Sequence, residues 1–443
     1  MPLNSPEFQA IFTPELHQLR SLFDQYGHEL RIAGGAVRDL LMGKVPHDID
    51  FATTMTPEEM KAMFEKEGIR MLHKRGEEHG TITCRLNDKE NFEVTTLRID
   101  VLCDGRRAEV QYTTDWQLDS NRRDLTINSM FLGLDGTVYD YFDGVRDVEE
   151  RRVVFVRDAR TRIQEDFLRI LRYFRFYGRV AKTPHEHEQD TLASIYENAR
   201  GLEGVAGERL WVEFDKILSG RFVGPIVRTM YDCGVLPYLG FGETLRLDDF
   251  EKLADDIRDL EPKTMTLLPA LLESASELEP LHKRMKFSNQ ELFLATFLLE
   301  KRGLFLGQEA EETFPLRLKR LKDLMVDECR QHGYRDKSHH HGRERVVELA
   351  KYLNDRSLLE QLTSWTMPDF PVNGFQVAEA GVPKGKAMRR AIDYLFELWK
   401  GSDFAMTSEK LIELLKESDR FPFVEEGDVS PKAKRKRKKS PSL

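Results

Sequence analysis

The chain has 443 residues, of which 40% are hydrophobic and 32% carry charged side chains, and its formal net charge is -9. These values predict a globular protein of roughly three domains at ~150 residues each, and no run reaches the ~18 apolar residues that a membrane helix needs. The four cysteines are far apart, which argues against a disulfide framework, and the acidic balance by itself argues against a nucleic-acid partner.

The first third of the chain predicts an α/β region. Residues 1–30 hold several acidic side chains and a single arginine, unlike a transit peptide. Residues 57–67 show a helical pattern with Pro57 in the first turn, where its missing N–H costs nothing. Short runs rich in β-forming residues predict strands over residues 31–33, 49–52, 81–86, 92–99 and 109–114.

After about residue 153 the pattern changes to the 3.6-residue period of amphipathic helices. The remaining two-thirds therefore predict an all-α region. The predicted helices cover residues 162–177, 187–199, 207–218 and 223–232, with further helices to residue 415. The chain ends in a basic run over residues 432–439. We expect this run to be disordered, because so many positive charges cannot be buried in a hydrophobic core.

Two aspartates flank one apolar residue in the second predicted strand. Because side chains alternate along a strand, Asp48 and Asp50 are expected on one face, with Ile49 turned into the core. Two carboxylates on one face repel each other unless a cation lies between them, and hard oxygen ligands suit Mg²⁺. Glu93, between two apolar neighbours, is a candidate third carboxylate from an adjacent strand. The alternative is a solvated acidic strand end.

A glycine pair precedes these aspartates. Gly34 and Gly35 allow backbone N–H groups to approach a triphosphate, and Arg38 supplies positive charge at a predicted helix start. A glycine pair alone is a weak signal, and a D-x-D pattern shortly after it makes the signal more specific.

The predicted helix over residues 162–177 has one apolar and one charged face. Asp166, Arg169, Arg172 and Arg175 share the charged face, which is often simply a solvated face with an i,i+3 ion pair. A carboxylate only accepts hydrogen bonds and a guanidinium only donates them. An adjacent Asp166 and Arg169 therefore match the pairing edges of cytosine and adenine, and they leave polar groups unpaired against uracil or guanine.

Six motifs occur along the chain. They are Gly34-Gly35-Ala36-Val37-Arg38-Asp39, Asp48-Ile49-Asp50, Phe92-Glu93-Val94-Thr95-Thr96, Arg122-Arg123-Asp124-Leu125-Thr126-Ile127-Asn128, Glu165-Asp166-Phe167-Leu168-Arg169 and Gly207-Glu208-Arg209. With these motifs in this order, the chain closely resembles the tRNA nucleotidyltransferases, the CCA-adding enzymes of the bacterial and eukaryotic class within the polymerase-β nucleotidyltransferase superfamily. The likeness is dense over residues 8–239 and weaker through the helical remainder.

The resemblance implies an α/β catalytic head with a mixed five-stranded sheet, followed by an all-α neck, body and tail. The expected divisions are residues 1–150 for the head, 151–220 for the neck, 221–325 for the body, 326–425 for the tail and 426–443 for a disordered basic end. The implied activity is template-independent addition of C, C and A to the 3′ end of tRNA from CTP and ATP. A loop within residues 99–117 would help the switch from C to A, although an ordinary hairpin turn fits the same residues.

The resemblance also implies residue roles. Asp48 and Asp50 would bind Mg²⁺, and Glu93 would complete the catalytic carboxylates. Asp124 and Asn128 would fix the sugar or neighbouring loops. The other implied nucleotide-binding residues are Gly35, Arg38, Arg123, Asp166, Arg169, Arg172 and Arg175.

Three alternatives remain at this point. A bacterial-type poly(A) polymerase and an enzyme that adds only C or only A are the nearest, and a catalytically inactive RNA-binding protein is the third. The expected partners are tRNA, CTP and ATP, with no membrane, in a monomer or weak homodimer. Animal relatives serve mitochondrial and cytosolic tRNAs, so the expected location is mitochondrial, cytoplasmic and nuclear, or one of these.

Overall fold

The computed structural model describes residues 2–72, 80–103, 108–306, 313–333 and 340–417. The chain forms two compact units, Met1–Glu300 and Lys301–Leu443. The predicted division into head, neck, body, tail and basic end, with boundaries at residues 150, 220, 325 and 425, is finer than these two units and stays a prediction. The basic end over residues 426–443 and the tip of the predicted loop, residues 104–107, lie outside the described residues.

The strands belong to the first unit. They are β1 (Leu30–Ala33), β2 (Asp50–Thr53), β3 (Arg70–Leu72), β4 (Thr81–Leu86), β5 (Glu90–Thr96), β6 (Arg98–Cys103), β7 (Ala108–Tyr112), β8 (Phe131–Gly133) and β9 (Val138–Tyr139). In the described part of the chain they form a seven-stranded sheet of order β3-β4-β5-β2-β1-β8-β9, and β6 pairs separately with β7. The sheet is mixed, because β2 is parallel to β5 whereas β1 is antiparallel to both of its neighbours.

The prediction of five strands in the sheet is wrong. β3, β8 and β9 are too short to show an alternating pattern, and they exist as strands because each pairs with a longer or more central neighbour. The predicted strand over residues 92–99 is two strands. It breaks at the buried Leu97, which donates its N–H to Thr53 and accepts from Thr113, and the chain then continues into the β6–β7 hairpin.

The helices of the first unit support this sheet and continue beyond it. They are α1 (Pro6–Ala10), α2 (Pro14–Gln25), α3 (Gly35–Leu41), α4 (Pro57–Lys66), α5 (Trp116–Asn121), α6 (Gly144–Glu150), α7 (Ala159–Glu165), α8 (Arg169–Val180), α9 (Gln189–Asn198), α10 (Gly207–Leu218), α11 (Val223–Asp232), α12 (Leu247–Asp256), α13 (Thr264–Leu267), α14 (Leu278–Met285) and α15 (Asn289–Lys301). Short 3₁₀ turns cover Thr126–Asn128, Ala199–Gly204, Leu236–Leu239, Arg258–Leu260, Leu268–Leu271 and Ala275–Glu277.

Local sequence explains where α4 begins. Thr56 accepts a hydrogen bond from the backbone of Glu59, and Glu59 accepts one from the backbone of Thr56, so the two residues form a capping box. Pro57 occupies the first turn, as the sequence predicts. The helix buries Phe64 against Phe23 of α2, with ring centroids 6.4 Å apart. α4 also packs against β3 and β4 at one end of the sheet.

The predicted helix over residues 162–177 is interrupted. Asp166 has extended backbone angles, φ -151° and ψ 104°, and its carboxylate accepts the backbone N–H of Leu168 at 3.1 Å. That local bond competes with the helical hydrogen bond and separates α7 from α8. The expectation of one continuous charged face from Asp166 to Arg175 is therefore wrong, because Asp166 precedes α8.

The second unit is helical. It begins with a 3₁₀ turn, Arg302–Leu304, and its buried core includes Val377, Leu395 and Trp399. No helix in the described ranges is long and apolar enough to span a membrane. The helices are α16 (Phe314–Gly333), α17 (His340–Tyr352), α18 (Arg356–Ser364), α19 (Gly374–Glu379), α20 (Lys386–Gly401) and α21 (Ser408–Glu417).

Candidate functional site

A cleft of about 650 Å³ lies in the first unit, between the sheet, α3, the segment that follows α5, and α8. Residues far apart in the chain form its walls, so only the fold brings them together. Every residue that the sequence predicts for the site lines this cleft: Gly35, Arg38, Asp48, Asp50, Glu93, Arg123, Asp124, Asn128, Asp166, Arg169, Arg172 and Arg175.

The three carboxylates lie on one side of the cleft. Asp50 opens β2 and is in register with Glu93 on the parallel strand β5, so both side chains leave the sheet on the same face. Asp48 lies in the bend before β2, and its exposed carboxylate is 3.1 Å from Nδ1 of His47. The prediction that strand alternation places Asp48 is wrong, because the strand begins only at Asp50. The bend nevertheless leaves Asp48 at the cleft.

The carboxylates repel one another. Desolvation raises the pKa of Asp50, and the negative charges of Glu93 and Asp48 raise it further, against the opposing effect of Arg123. In the described residues, no group of three or more histidine, cysteine or acidic side chains is arranged to hold a metal ion by itself. A cation here would need water or substrate oxygens as further ligands. Mg²⁺ binds in that way, so the donor set fits it.

The glycine pair forms the turn that enters α3. Gly34 has φ 66° and ψ -123°, a conformation that other residues rarely adopt, and a Cβ there would lie 3.1 Å from Nη1 of Arg123. Arg38 is buried beneath this turn. It donates Nε and Nη2 to Asp39 and Nη1 to Asn128, at 2.5 to 3.0 Å. Arg38 thus supports the turn, and direct contact with a nucleotide stays a prediction.

The segment after α5 contributes Arg123 and Asp124. Arg123 donates Nη1 to the backbone oxygen of Asn128 at 3.2 Å and lies over the ring of Phe131. Asp124 accepts from Nε of Arg172 at 2.6 Å. Burial alone raises the pKa of Asp124, but Arg172, the backbone N–H of Leu125 and Arg169 together outweigh burial and hold this pKa below its ordinary value. Asp124 therefore joins this segment to α8 as a charged group.

Three arginines of α8 face the cleft at a spacing of three residues. Arg169 donates to Glu165 at 2.6 Å and to the backbone oxygens of Arg162 and Arg122. Arg175 donates Nη1 to both oxygens of Glu213 on α10, at 3.1 and 3.2 Å. The charged face is thus held by specific partners, unlike an ordinary solvated face, which leaves side chains free to rotate.

Asp166 and Arg169 both line the cleft, but they are not each other's ion-pair partners. Asp166 accepts from Nη2 of Arg209 on α10 at 2.8 Å, whereas Arg169 pairs with Glu165. The i,i+3 ion pair of the solvated-face alternative does not form between these two residues, because α8 begins only at Arg169. Each side chain is oriented independently, and their joint reading of a base stays a prediction.

Sequence reasoning missed the partners that hold the charged side chains of the cleft. The spacing of Glu165 to Arg169, four residues, was a usable signal, as was the motif that contains Arg209. Glu213 had no such signal, because its partner Arg175 lies on another helix. Asp39 pairs with Arg38 and also accepts from Arg179 of α8 at 2.6 Å, a contact that spacing does not suggest.

Two family models match the chain. Residues 30–154 match the model described as the poly A polymerase head domain, and residues 186–240 match one described as a probable RNA and SrmB-binding site of polymerase A. Over 419 residues the chain is 47% identical to CCA tRNA nucleotidyltransferase 1, mitochondrial, of Mus musculus, covering 94% of this chain and 93% of the mouse protein. The chain belongs to the CCA tRNA nucleotidyltransferase family. The corresponding human protein is 46% identical over 418 residues, with the same shares covered.

Solved structures of CCA-adding enzymes share the fold. The Bacillus stearothermophilus enzyme in complex with CTP has a TM-score of 0.70 and 24% identity, covering 94% of this chain and 98% of that one. The Thermotoga maritima enzyme complexed with tRNA has a TM-score of 0.63 and 18% identity, with the same shares covered. In this member of the CCA tRNA nucleotidyltransferase family, the carboxylates and the glycine turn lie inside the head-domain match. The arginines of α8 lie between the two matched segments.

Proposed function

We propose that this chain adds C, C and A to the 3′ end of tRNA, using CTP and ATP and releasing pyrophosphate, without a nucleic-acid template. The observation that carries the proposal is the identity of 47% with a CCA tRNA nucleotidyltransferase, which extends over 94% of the chain. The cleft supports it, because acidic groups and several arginines line the same cavity. This arrangement suits a triphosphate that approaches with a cation.

The carboxylates would act at the reacting phosphate. Asp48 and Asp50 would hold Mg²⁺, which lowers the pKa of an attacking hydroxyl and stabilises the oxygens of a leaving pyrophosphate. The raised pKa of Asp50 supports this role, since its neighbouring negative charges favour a bound cation. Glu93 would orient the tRNA end or accept the proton of its hydroxyl, and its position beside Asp50 is compatible with either role.

The arginines would grip the phosphates and orient the nucleotide. Arg123, Arg172 and Arg175 already have partners in the protein, so they are held in place before a substrate arrives. Such preorganisation lowers the cost of ordering side chains during binding. Asp124 and Asn128 would fix the sugar. Gly35 would let the backbone approach the phosphates, above Arg38.

Base selection would come from Asp166 and Arg169. The carboxylate offers an acceptor and the guanidinium a donor, the complement of the donor and acceptor on the pairing edges of cytosine and adenine. Arg209 and Glu165 support the proposal because they orient these two side chains separately. Independent anchoring would keep the acceptor and donor at constant positions for either base.

The chemical step would be an in-line displacement. The terminal 3′ oxygen of tRNA would form a bond to the α-phosphorus while the bond between that phosphorus and the bridging oxygen breaks. The hydroxyl proton would leave to Glu93 or to solvent, and pyrophosphate would carry away the negative charge. Arg123, Arg172 and Arg175 would stabilise charge on the phosphate oxygens during this exchange.

One experiment separates the proposed activity from its nearest alternatives. A tRNA that lacks its 3′ CCA is incubated with the full chain and CTP alone, ATP alone, or both. The proposal predicts two C residues with CTP alone and a complete CCA end with both nucleotides. Long A tracts would instead identify a poly(A) polymerase, an activity that the description of the matched head domain brings into consideration. Addition of only C or only A under all conditions would identify a partial enzyme.

The assigned carboxylates have a separate test, which also addresses an inactive RNA-binding protein. Asp50→Ala should abolish nucleotide addition while tRNA binding, measured by filter retention, remains. Asp24→Ala is the control, because Asp24 is an exposed head residue in a surface pair with Arg20. Addition by Asp50→Ala at the wild-type rate would contradict the site assignment. A wild-type chain that binds tRNA and adds nothing would support the inactive alternative.

The family relatives suggest which partners and which location to propose for this chain. The Thermotoga maritima relative was solved with tRNA, and we extend tRNA binding to this chain. The animal relatives are named mitochondrial proteins, and we propose a mitochondrial location, with cytoplasmic and nuclear pools as further predictions. A monomer or weak homodimer stays a prediction that light scattering tests directly.

A further inference from the structure

Asp119 accepts four hydrogen bonds behind the wall of the cleft. It lies in α5 and is 1% exposed. Oδ1 accepts from the backbone N–H of Arg98 at 3.1 Å and from Nε of Arg122 at 2.8 Å. Oδ2 accepts from Nε and Nη2 of Arg123, at 3.2 and 3.1 Å. A single buried carboxylate thus contacts three arginine residues that line the cleft.

The contacted residues belong to separate parts of the cleft. Arg98 is the first residue of β6, where the β6–β7 hairpin leaves the main sheet. Arg122 also accepts a hydrogen bond from Arg169 through its backbone oxygen, at 2.8 Å. Arg123 lies against the glycine turn, and a Cβ added to Gly34 would be 3.1 Å from its Nη1. A shift of Asp119 would therefore be transmitted to the hairpin, to the segment after α5 and to α8.

The charges explain why a carboxylate is needed here. Arg122 and Arg123 are adjacent cations with side chains that are each 18% exposed, so without a counter-charge they would repel each other and turn toward solvent. Burial alone raises the pKa of Asp119, but Arg123, Arg122 and the backbone N–H of Arg98 together outweigh burial, so this pKa lies below its ordinary value. Asp119 is therefore ionised at neutral pH and balances part of the charge of the pair.

We infer that Asp119 is a positioning residue that holds Arg122, Arg123 and the start of the β6–β7 hairpin in the arrangement that grips the phosphates of CTP and ATP. The inference rests on the proposed function, because it assigns a binding consequence to that cleft. Asp119 acts through the arginines and does not touch the nucleotide. Its loss should weaken nucleotide binding more than it slows the chemical step.

The test is Asp119→Asn in the full chain, assayed by steady-state nucleotide addition to tRNA. Asparagine keeps the shape and some acceptor capacity but removes the charge. We expect KM for both CTP and ATP to rise about tenfold while kcat falls less than about threefold. Asp115→Asn is the matched control, because Asp115 caps the first turn of the same helix and asparagine caps equally well. Its KM should stay at the wild-type value.

A double variant separates positioning from general stability. If Asp119 acts through Arg123, adding Asp119→Asn to Arg123→Ala should raise KM by much less than it does in the wild-type background. Equal effects in both backgrounds would overturn the inference, as would a wild-type KM in the single variant. Should Asp119→Asn not fold, Asp119→Glu keeps the charge and moves the carboxylate by one methylene. We expect the same rise in KM, and a wild-type KM for this variant would also overturn the inference.

The outcome is distinguishable from failure of the proposed function. A wild-type chain that adds neither C nor A to tRNA would reject the proposed function itself. A wild-type chain that completes the CCA end, together with Asp119→Asn at an unchanged KM, would reject only the role of Asp119. Melting temperatures of each variant show whether a change in KM accompanies loss of the folded state.

Discussion

Replacing Glu213 by glutamine removes a carboxylate that faces two cleft arginines. Glu213 lies on α10 and is 5% exposed. Both of its oxygens accept from Nη1 of Arg175, and one of them lies 3.8 Å from Nη1 of Arg172. Glu213→Gln keeps the size of the side chain and one acceptor oxygen. The change therefore removes charge with little change in packing.

The contacts set the expected loss of stability. Removing one partner of a fully buried ion pair costs about 3–5 kcal/mol. Here the side chains of Arg175 and Arg172 keep 20% and 30% exposure, and Arg172 keeps Asp124 at 2.6 Å. Both facts reduce the cost, and the remaining acceptor of glutamine reduces it further. We expect the free energy of unfolding to fall by about 1–3 kcal/mol.

Nucleotide should restore part of this loss. A bound triphosphate supplies negative charge to the same arginines, so its stabilising effect should be larger in Glu213→Gln than in the wild type. The assay is thermal unfolding of the full chain with and without CTP. Without CTP we expect the melting transition of the first unit to fall by about 2–8 °C. With saturating CTP the difference between variant and wild type should shrink.

The control is Glu203→Gln, which removes an exposed carboxylate that pairs with Arg200 across 3.6 Å. Exposed pairs contribute little, so this variant should melt at the wild-type temperature. If Glu213→Gln also melts at that temperature, Glu213 does not stabilise the two arginines. If CTP raises the melting temperature of both proteins equally, Glu213 does not balance the charge of the arginines.

Three further predictions concern base choice, the glycine turn and a partly buried histidine. Arg169→Ala should relax the preference for CTP and ATP over UTP and GTP, because the donor beside Asp166 is lost; competition between labelled nucleotides measures this. Gly34→Ala should destabilise the chain by about 1–3 kcal/mol and lower nucleotide addition, because φ is 66° and the new Cβ would crowd Arg123. His187 stacks on Tyr177 at 3.7 Å, and burial lowers its pKa from 6.5 to about 4. The folded state then binds fewer protons than the unfolded state between these values, so stability should fall as the pH drops from 6.5 to about 4, and His187→Phe should remove this part of the pH dependence.

Matched variants make these three outcomes decisive. Unchanged rejection of UTP and GTP by Arg169→Ala would contradict the proposed role in base choice. Gly43 also has a positive φ, 68°, but a Cβ added there would meet no atom within 4 Å. Gly43→Ala therefore tests backbone strain without crowding of Arg123. If both glycine variants lose equal nucleotide addition, crowding is not the cause. His185→Phe changes an exposed neighbour and should keep the acid dependence that His187→Phe removes.

Local sequence was sufficient for elements whose signals are local. The predicted helices over residues 207–218 and 223–232 match α10 and α11, and the predicted strand over residues 81–86 matches β4. Their periodicity continues for several turns or pairs, so the pattern is long enough to detect. β8 and β9 have three and two residues, and only pairing with β1 and with each other makes them strands.

Residue types and their spacing were enough to predict the chemistry available to the site. Asp50, Glu93 and the arginine spacing of α8 were evident because residue types and periodicity are properties of the chain before it folds. The tertiary structure decided which groups pair. Asp166 binds Arg209, 43 residues away, and Arg179 binds Asp39 across 140 residues. Such partners depend on the path of the intervening chain, which brings charges together only after the sheet and helices have packed.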